Sequence, residues 1–242
     1  MPGDNVRLPG STHKLAIVGR NGSGKTMAAL WHLSNADFDE RPWIILDFKN
    51  DEHINAIARA KHIGFEELPE DPGIYILKVT PGNGDLVSDW FKRVWQQEDM
   101  GILIDEGYRI DQHDEWFNGC LTQGRSKHIS MIVLSQRPVW LSRFVFSEAD
   151  FFQIFDLTHE KDRDKIGEYI RDDERDQLEV PLEDFHSLYY DVGRKRLDMF
   201  DKVPEESELL ETIDRRLEEL EIEERLEELG IDPEKRPRRR AI

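Results

Sequence analysis

Three glycines, a lysine and a threonine fall within eight residues, Gly19-Arg20-Asn21-Gly22-Ser23-Gly24-Lys25-Thr26. The apolar run 15–18 precedes them and the helix-prone run 27–30 follows. Glycines let a backbone curl until several N–H groups face one anion. A helix starting near Lys25 adds the positive end of its dipole. Lys25 supplies a mobile cation for β- and γ-phosphates, and the Thr26 hydroxyl is a ligand for Mg²⁺. The spacing G-x-x-x-x-G-K-[ST] between strand and helix therefore predicts a phosphate-binding loop, with all eight residues at the nucleotide. A plain glycine turn is the alternative.

The same unit constrains the fold. Apolar runs are expected as strands at 14–18, 43–47, 74–79, 101–105, 129–135 and 151–157. Several, such as "WIILD", "ILID" and "MIVLS", are apolar at successive positions, the pattern of strands buried on both faces. Helices are expected between them at 25–34, 52–62, 86–97, 114–123 and 160–170. The alternation predicts an α/β, doubly wound, mostly parallel sheet. Past Leu157 the rhythm changes. Residues 188–200 read as a β-hairpin with Gly193 in its turn. Pro204 closes a first unit, 1–204. Residues 205–229 read as one long acidic helix within a second unit, 205–242. Its apolar positions are Leu210, Ile213, Leu217 and Leu220, with Ile222, Leu226 and Leu229 continuing in a shifted phase, and Gly230 and Pro233 stop it.

A hydrolase built on such a loop needs an acid for the metal and a base to orient water. "GILIDEGY" places Asp105 and Glu106 at the tip of an apolar strand. Asp105 is the candidate for Mg²⁺ and Glu106 for the base, the two pointing differently. A solvated acid pair is the structural alternative. The pair favours a hydrolase over a small-molecule kinase, which needs an acceptor pocket and an arginine-rich lid.

Taken together, "GRNGSGKT", "ILDFKND", "IYILKVTPGNGD", "ILIDEGY" and above all "QGRSKHISMIVLSQRP" resemble the FtsK–HerA superfamily. Within it the chain is similar to the small genome-packaging ATPases of tailless, membrane-containing viruses, over roughly residues 15–157. The resemblance implies a P-loop NTPase fold of the additional-strand catalytic-glutamate class. It also implies ATP and Mg²⁺ as cofactors, DNA as a partner, and a homo-oligomeric ring, commonly a hexamer. Gln136 matches the polar γ-phosphate sensor, and Arg125 the arginine that reaches a neighbour's nucleotide. Arg125 capping the 114–123 helix, or Gln136 bonding a neighbouring loop, are the plain alternatives. Asp47 matches a family acid at the periphery of the site, or simply caps the next helix. Arg109, Arg137 and Arg143, with their aromatic neighbours, are candidates for contact with the DNA backbone.

Charge argues against DNA as a partner of the whole surface. The net charge is −18, and residues 205–234 hold fourteen acids against three bases. A basic face is excluded, so contact with DNA must be local, in a ring's pore. The basic end "KRPRRR" is a candidate for nucleic acid or an acidic capsid surface. No apolar run approaches the ~20 residues of a membrane span, and no apolar leader is read at the N-terminus. The single Cys120 excludes an intrachain disulfide and fits a reducing compartment. The expectation is an ATP-driven DNA translocase that loads a viral genome into a preformed capsid. It would work with portal or packaging-vertex proteins, in host cytoplasm and at the virion vertex. A filamentous-phage-type DNA export ATPase, and a small-molecule phosphotransferase, are the alternatives.

Overall fold

The computed structural model describes residues 6–230; the basic end 235–240 lies outside them. Nine strands form one sheet: β1 Lys14–Val18, β2 Pro42–Asp47, β3 Lys61–Ile63, β4 Gly73–Lys78, β5 Met100–Ile104, β6 Ile129–Ser135, β7 Phe151–Ile154, β8 Ser187–Asp191 and β9 Arg196–Phe200. The helices are α1 Lys25–Ser34, α2 Glu52–Asn55, α3 Leu86–Gln97, α4 Glu115–Gln123, α5 Arg143–Ser147, α6 Glu160–Gly167 and α7 Glu206–Glu228. The strand order is β3-β4-β2-β5-β6-β1-β7-β8-β9. Every pairing from β3 to β7 is parallel, and β8 and β9 add an antiparallel edge. This is the expected doubly wound α/β sheet.

Successive residues of the central strands feed opposite faces. Ala16, Val18, Ile44, Leu46, Ile102 and Ile104 pack into one core with α3, α4, α5 and α6. Leu15, Ile17, Ile45, Leu103, Ile132 and Leu134 pack into the other with α1, α2 and α7. Burial on both faces is why these strands lack polar alternation.

Parallel strands place all their C-terminal ends on one edge. That edge carries the loop after β1, Asp47 at the end of β2, the acid pair after β5 and Gln136 after β6. Strand β6 is hydrogen-bonded to both β1 and β5, so the acid pair sits one strand removed from the phosphate loop.

Three local departures from expectation have physical causes. The helix expected at 52–62 stops at Asn55, because Arg59 is held by α7. Its N–H donates to Asp214 Oδ1 at 3.1 Å and its guanidinium meets Glu221 Oε2 at 2.6 Å and Glu218 at 3.2 Å. The three residues of β3 form the sheet's edge and are largely exposed, so no apolar pattern announces them. Strand β7 ends early because the next residues brace the phosphate loop instead. Phe155 N donates to Val18 O at 2.8 Å, and Arg20 N to Asp156 O at 2.9 Å. The hairpin forms as expected with Gly193 in its turn, where Lys195 takes a left-handed backbone (φ 52°).

Helix α7 lays Leu209, Ile213 and Leu217 into the core beside α1. Leu210 and Leu220, expected on the stripe, are half-buried at its margin. Each fully buried leucine or isoleucine contributes about 2 kcal/mol. Arg216 fastens the contact, donating to Ser34 O at 2.9 Å and pairing with Asp39 at 2.6 Å.

A buried polar chain ties α1 to the edge strands. Gln153 Nε2 donates to Ser187 Oγ at 3.0 Å, so Gln153 Oε1 must accept from His32 Nε2, 2.8 Å away. Burial pushes the His32 pKa down to about 4, opposed by this hydrogen bond. The folded protein therefore holds His32 neutral, while the unfolded chain takes up a proton below about pH 6.5. This contribution is present above about pH 6.5 and is lost as pH falls toward 4. The full loss is about 3 kcal/mol. Urea unfolding at pH 7 and pH 4.5 should show His32→Gln losing less stability on acidification than the native chain. Equal losses would contradict a neutral, buried His32.

Candidate functional site

The loop between β1 and α1 is shaped by two glycines. Gly24 has φ +100°, a conformation that a side chain resists. A Cβ on Gly19 would lie 2.5 Å from Phe155 Cβ and 2.8 Å from Ser23 Oγ. Gly19 N donates to Ser135 O at 3.3 Å, which docks the start of the loop on the end of β6. The loop then opens onto the N-terminus of α1, where no side chain caps the helix. Ser23 Oγ is buried without a hydrogen-bond partner. The uncapped helix N-terminus suits a multivalent anion. Asn21 and Gly22 are exposed, Thr26 is half-buried, and Arg20 pairs with Asp156 at 3.3 Å and Asp184 at 3.7 Å.

Lys25 is 7% exposed and donates from Nζ to Arg20 O at 2.9 Å. Burial pushes its pKa down to about 8; Lys49 pushes the same way and Asp105 opposes. A buried ammonium with only a carbonyl to bond is short of negative charge.

The acid pair faces it from β5. Asp105 is 1% exposed and its Oδ2 is buried with no hydrogen-bond partner. Burial pushes its pKa up to about 6, while Lys49 pulls it down. Among the described residues, no cluster of three His, Cys, Asp or Glu could hold a metal unaided. Of the two residues the sequence suggested for Mg²⁺, Asp105 is buried and Thr26 half-buried.

Glu106 departs from the strand in a left-handed backbone, φ 60°. Such a residue costs of order 1–3 kcal/mol and persists only where its surroundings enforce it. The turn aims its carboxylate inward. The side chain is buried, Oε1 pairs with Lys49, and Oε2 has no hydrogen-bond partner.

Lys49 is the member that the sequence reading missed. It lies in "LDFKND", quoted for Asp47 alone. Asp47 is the scaffold: its Oδ1 accepts from Lys49 N and Asp51 N, both at 3.1 Å, and its Oδ2 from Asn55 at 3.0 Å. It orders the loop that delivers Lys49 to Glu106. A lysine two residues past an acid-tipped strand, on the catalytic edge, was the available signal. The capping alternative for Asp47 is near the truth, although the N-cap of α2 is Asp51.

Gln136 stands at the end of β6, next to the Ser135 carbonyl that receives Gly19. Its Nε2 donates to Tyr108 OH at 3.3 Å. Tyr108 belongs to the turn after Glu106, and its ring lies 5.5 Å from that of Trp140, which is half-exposed.

Arg125 is not with the others. It is exposed and pairs with Asp150, which also accepts from Lys14 N at 2.9 Å. Lys14 begins β1, whereas the phosphate loop follows its end, about 17 Å away at ~3.3 Å per residue. Arg125 therefore does not reach the loop of its own chain, and it pairs with Asp150 rather than capping α4. Arg137 is committed to Asp162 at 2.9 Å and lies over Trp140. Arg109 and Arg143 are exposed.

Comparison with known proteins agrees with this geometry. No protein-family profile matches the chain. The chain is 40% identical over 216 residues to DNA packaging ATPase P9 of Enterobacteria phage PRD1, covering 86% of this chain and 95% of that protein. Its fold is similar to the genome packaging NTPase B204 of Sulfolobus turreted icosahedral virus 2 in complex with AMP. The TM-score is 0.65 at 16% identity, over 81% of this chain and 100% of the other. It is also similar to the pCW3 conjugation coupling protein TcpA, with TM-score 0.63 at 12% identity, over 87% of this chain and 65% of the other. The likeness in fold, and above all the 40% identity across nearly the whole length of P9, settle the kinship: the chain belongs to the viral DNA-packaging ATPases of the FtsK–HerA superfamily.

Proposed function

We propose that this protein hydrolyses ATP on the edge formed by β1, β5 and β6, and uses the energy to move DNA into a preformed viral capsid. The observation that carries the reading is the convergence of three groups. An uncapped helix N-terminus with a buried lysine faces two buried acids that carry unpartnered oxygens.

In this reading the backbone of residues 19–24 and the α1 N-terminus bind the β- and γ-phosphates, and Lys25 neutralises them. Thr26 and Asp105 would hold Mg²⁺, which would supply neutralising charge to the phosphates. Glu106 accepts a proton from the attacking water, and Lys49 keeps its carboxylate in place. Gln136 contacts the γ-phosphate and passes its presence through Tyr108 to Trp140. Trp140, Arg109 and Arg143 present a local aromatic and basic surface on an acidic protein, suited to gripping a phosphate backbone without reading bases.

One further point supports a ring, commonly a hexamer in this superfamily. Arg125 is exposed at the opposite edge of the sheet, where a neighbour's nucleotide could meet it. A cation inserted only on subunit closure is worth about 10³–10⁵ in rate and couples hydrolysis to motion. Arg125→Ala is expected to be inactive alone and to regain part of its activity when mixed with inactive Glu106→Gln subunits. No recovery at any ratio, with rings intact, would place Arg125 outside catalysis. Among the described residues no helix is long and apolar enough to cross a membrane. The setting we propose is the host cytoplasm and the packaging vertex, with portal or vertex proteins as partners.

The function is tested by ATP hydrolysis with and without double-stranded DNA. A packaging motor is stimulated by the duplex. A phosphotransferase is not, and phosphorylates an acceptor instead.

A further inference from the structure

Helix α7 is longer than the helix it packs on. Its 23 residues span about 34 Å at ~1.5 Å per residue, and the 10 of α1 about 15 Å. Arg216, near the middle of α7, already sits at the end of α1, on Ser34 O at 2.9 Å. The second half therefore runs on past α1, where Glu218 and Glu221 meet Arg59 just ahead of β3.

That half carries a second apolar stripe. Ile222, Leu226 and Leu229 follow one another at helical spacing and share a face. At ~100° per residue they lie on the opposite side of the helix from Leu209, Ile213 and Leu217, which reach the core. Among the described residues, neither core includes these three, and Leu229 is 68% exposed. Exposed Glu219 and Glu223 border the stripe. An apolar stripe turned away from its own domain and edged with acids fits a partner surface that is apolar and basic. A second α7 does not fit, because acids would face acids.

The chain itself offers the complement. The turn between β8 and β9 holds Arg194, Lys195 and Arg196 in succession, all exposed. Arg7 lies beside them, on Asp191 at 3.0 Å. Asp191 also meets Arg194 at 3.7 Å, Asp198 meets Arg196 at 2.6 Å, and Glu174 accepts from Leu197 N at 3.3 Å. Four cations thus stand against three acids, a basic surplus on a chain of net charge −18. Next along β9, Leu197 is half-buried and Met199 is 53% exposed.

We propose that the second half of α7 docks on the β8–β9 hairpin of a second copy of this chain. Its acids meet Arg194, Lys195 and Arg196, and its apolar stripe meets Leu197 and Met199. The assignment rests on the ring reading and supplies a contact for it. The two surfaces lie at opposite ends of the nine-stranded sheet. Helix α7 lies against β4 and Arg59 leads into β3, whereas β9 is the strand at the far end. They also share one edge, the one away from the phosphate loop. Arg59 precedes the start of β3, and the hairpin turn follows Asp191, which pairs with Phe151 at the start of β7. A contact between unlike surfaces at opposite ends of a subunit repeats from copy to copy and closes a ring where the rotation allows. DNA fits the turn less well, because acids stand among its cations and an exposed methionine follows them.

The test measures self-association of the full chain by sedimentation with ATP, and duplex binding in parallel. Leu226→Glu and Lys195→Glu are each expected to weaken self-association about tenfold or more. Glu223→Lys should restore part of it in Lys195→Glu and none in Leu226→Glu. Unfolding midpoints should stay native, since none of the three residues belongs to either core. Native-strength assembly in both single variants would overturn the docking contact alone, as would a loss in Lys195→Glu that Glu223→Lys does not relieve. Lost duplex binding in Lys195→Glu with assembly intact would overturn it too, and give the turn to DNA. Native protein that stays monomeric at every concentration would overturn the ring reading, and the contact with it.

Discussion

Lys25→Ala is expected to lower ATP hydrolysis by about a thousandfold or more, equivalent to ~4 kcal/mol of transition-state stabilisation. The size follows from its position. Lys25 is buried at the head of α1 and bonds only the Arg20 carbonyl. It stays charged in an apolar setting at a cost, which shows in its pKa of about 8. A triphosphate removes that cost by supplying the missing negative charge. Charge also moves onto the phosphate oxygens as the bond breaks, so the interaction strengthens in the transition state, and only such strengthening raises the rate. Stability should hardly change, because the variant removes a poorly solvated cation and leaves alanine, the best helix former. Steady-state phosphate release at saturating ATP, with unfolding midpoints measured in parallel, checks both statements. Activity within tenfold of native would remove Lys25 from the site.

Glu106→Gln is expected to separate binding from chemistry. Hydrolysis should fall about 10²–10⁴-fold, the range for loss of a positioned general base. ATP affinity should persist, because the phosphate loop is untouched. Glutamine keeps the size of the side chain, so the left-handed turn at residue 106 is not further strained. It loses the charge that meets Lys49. The neutral side chain still fills the same space, so the cost falls on proton transfer rather than on the fold. Filter binding of ATP alongside single-turnover hydrolysis distinguishes the outcomes. Native turnover would refute the base assignment. Lost ATP binding would make Glu106 a structural residue of the pocket.

These two residues were legible in the sequence because their chemistry depends on local order: strand, then loop or acid, then helix. The central strands were legible for a similar reason. Burial on both faces leaves continuous apolar runs such as Trp43–Leu46 and Ile102–Ile104. What escaped depends on distant partners. The run 56–60 favours helix on its own, and α7 overrides it by holding Arg59. Lys49 meets Glu106 across 57 positions of sequence, through a loop that Asp47 orders. The position of Arg125 was implicit. A residue that precedes a parallel strand lies at the opposite edge from one that follows its neighbour. On α7 the expected Ile213 and Leu217 are buried, but at the start of the stripe Leu209 rather than Leu210 is buried. Both leucines fit a helical stripe, and packing against α1 decides between them.

The central claim is that breaking the terminal phosphate bond of ATP moves this protein along double-stranded DNA. The most direct measurement is displacement of a labelled third strand from a triplex formed on linear duplex. The account predicts ATP-dependent release by the native protein, and none by Lys25→Ala or Glu106→Gln. ATP hydrolysed at the native rate while the third strand stays in place would contradict it.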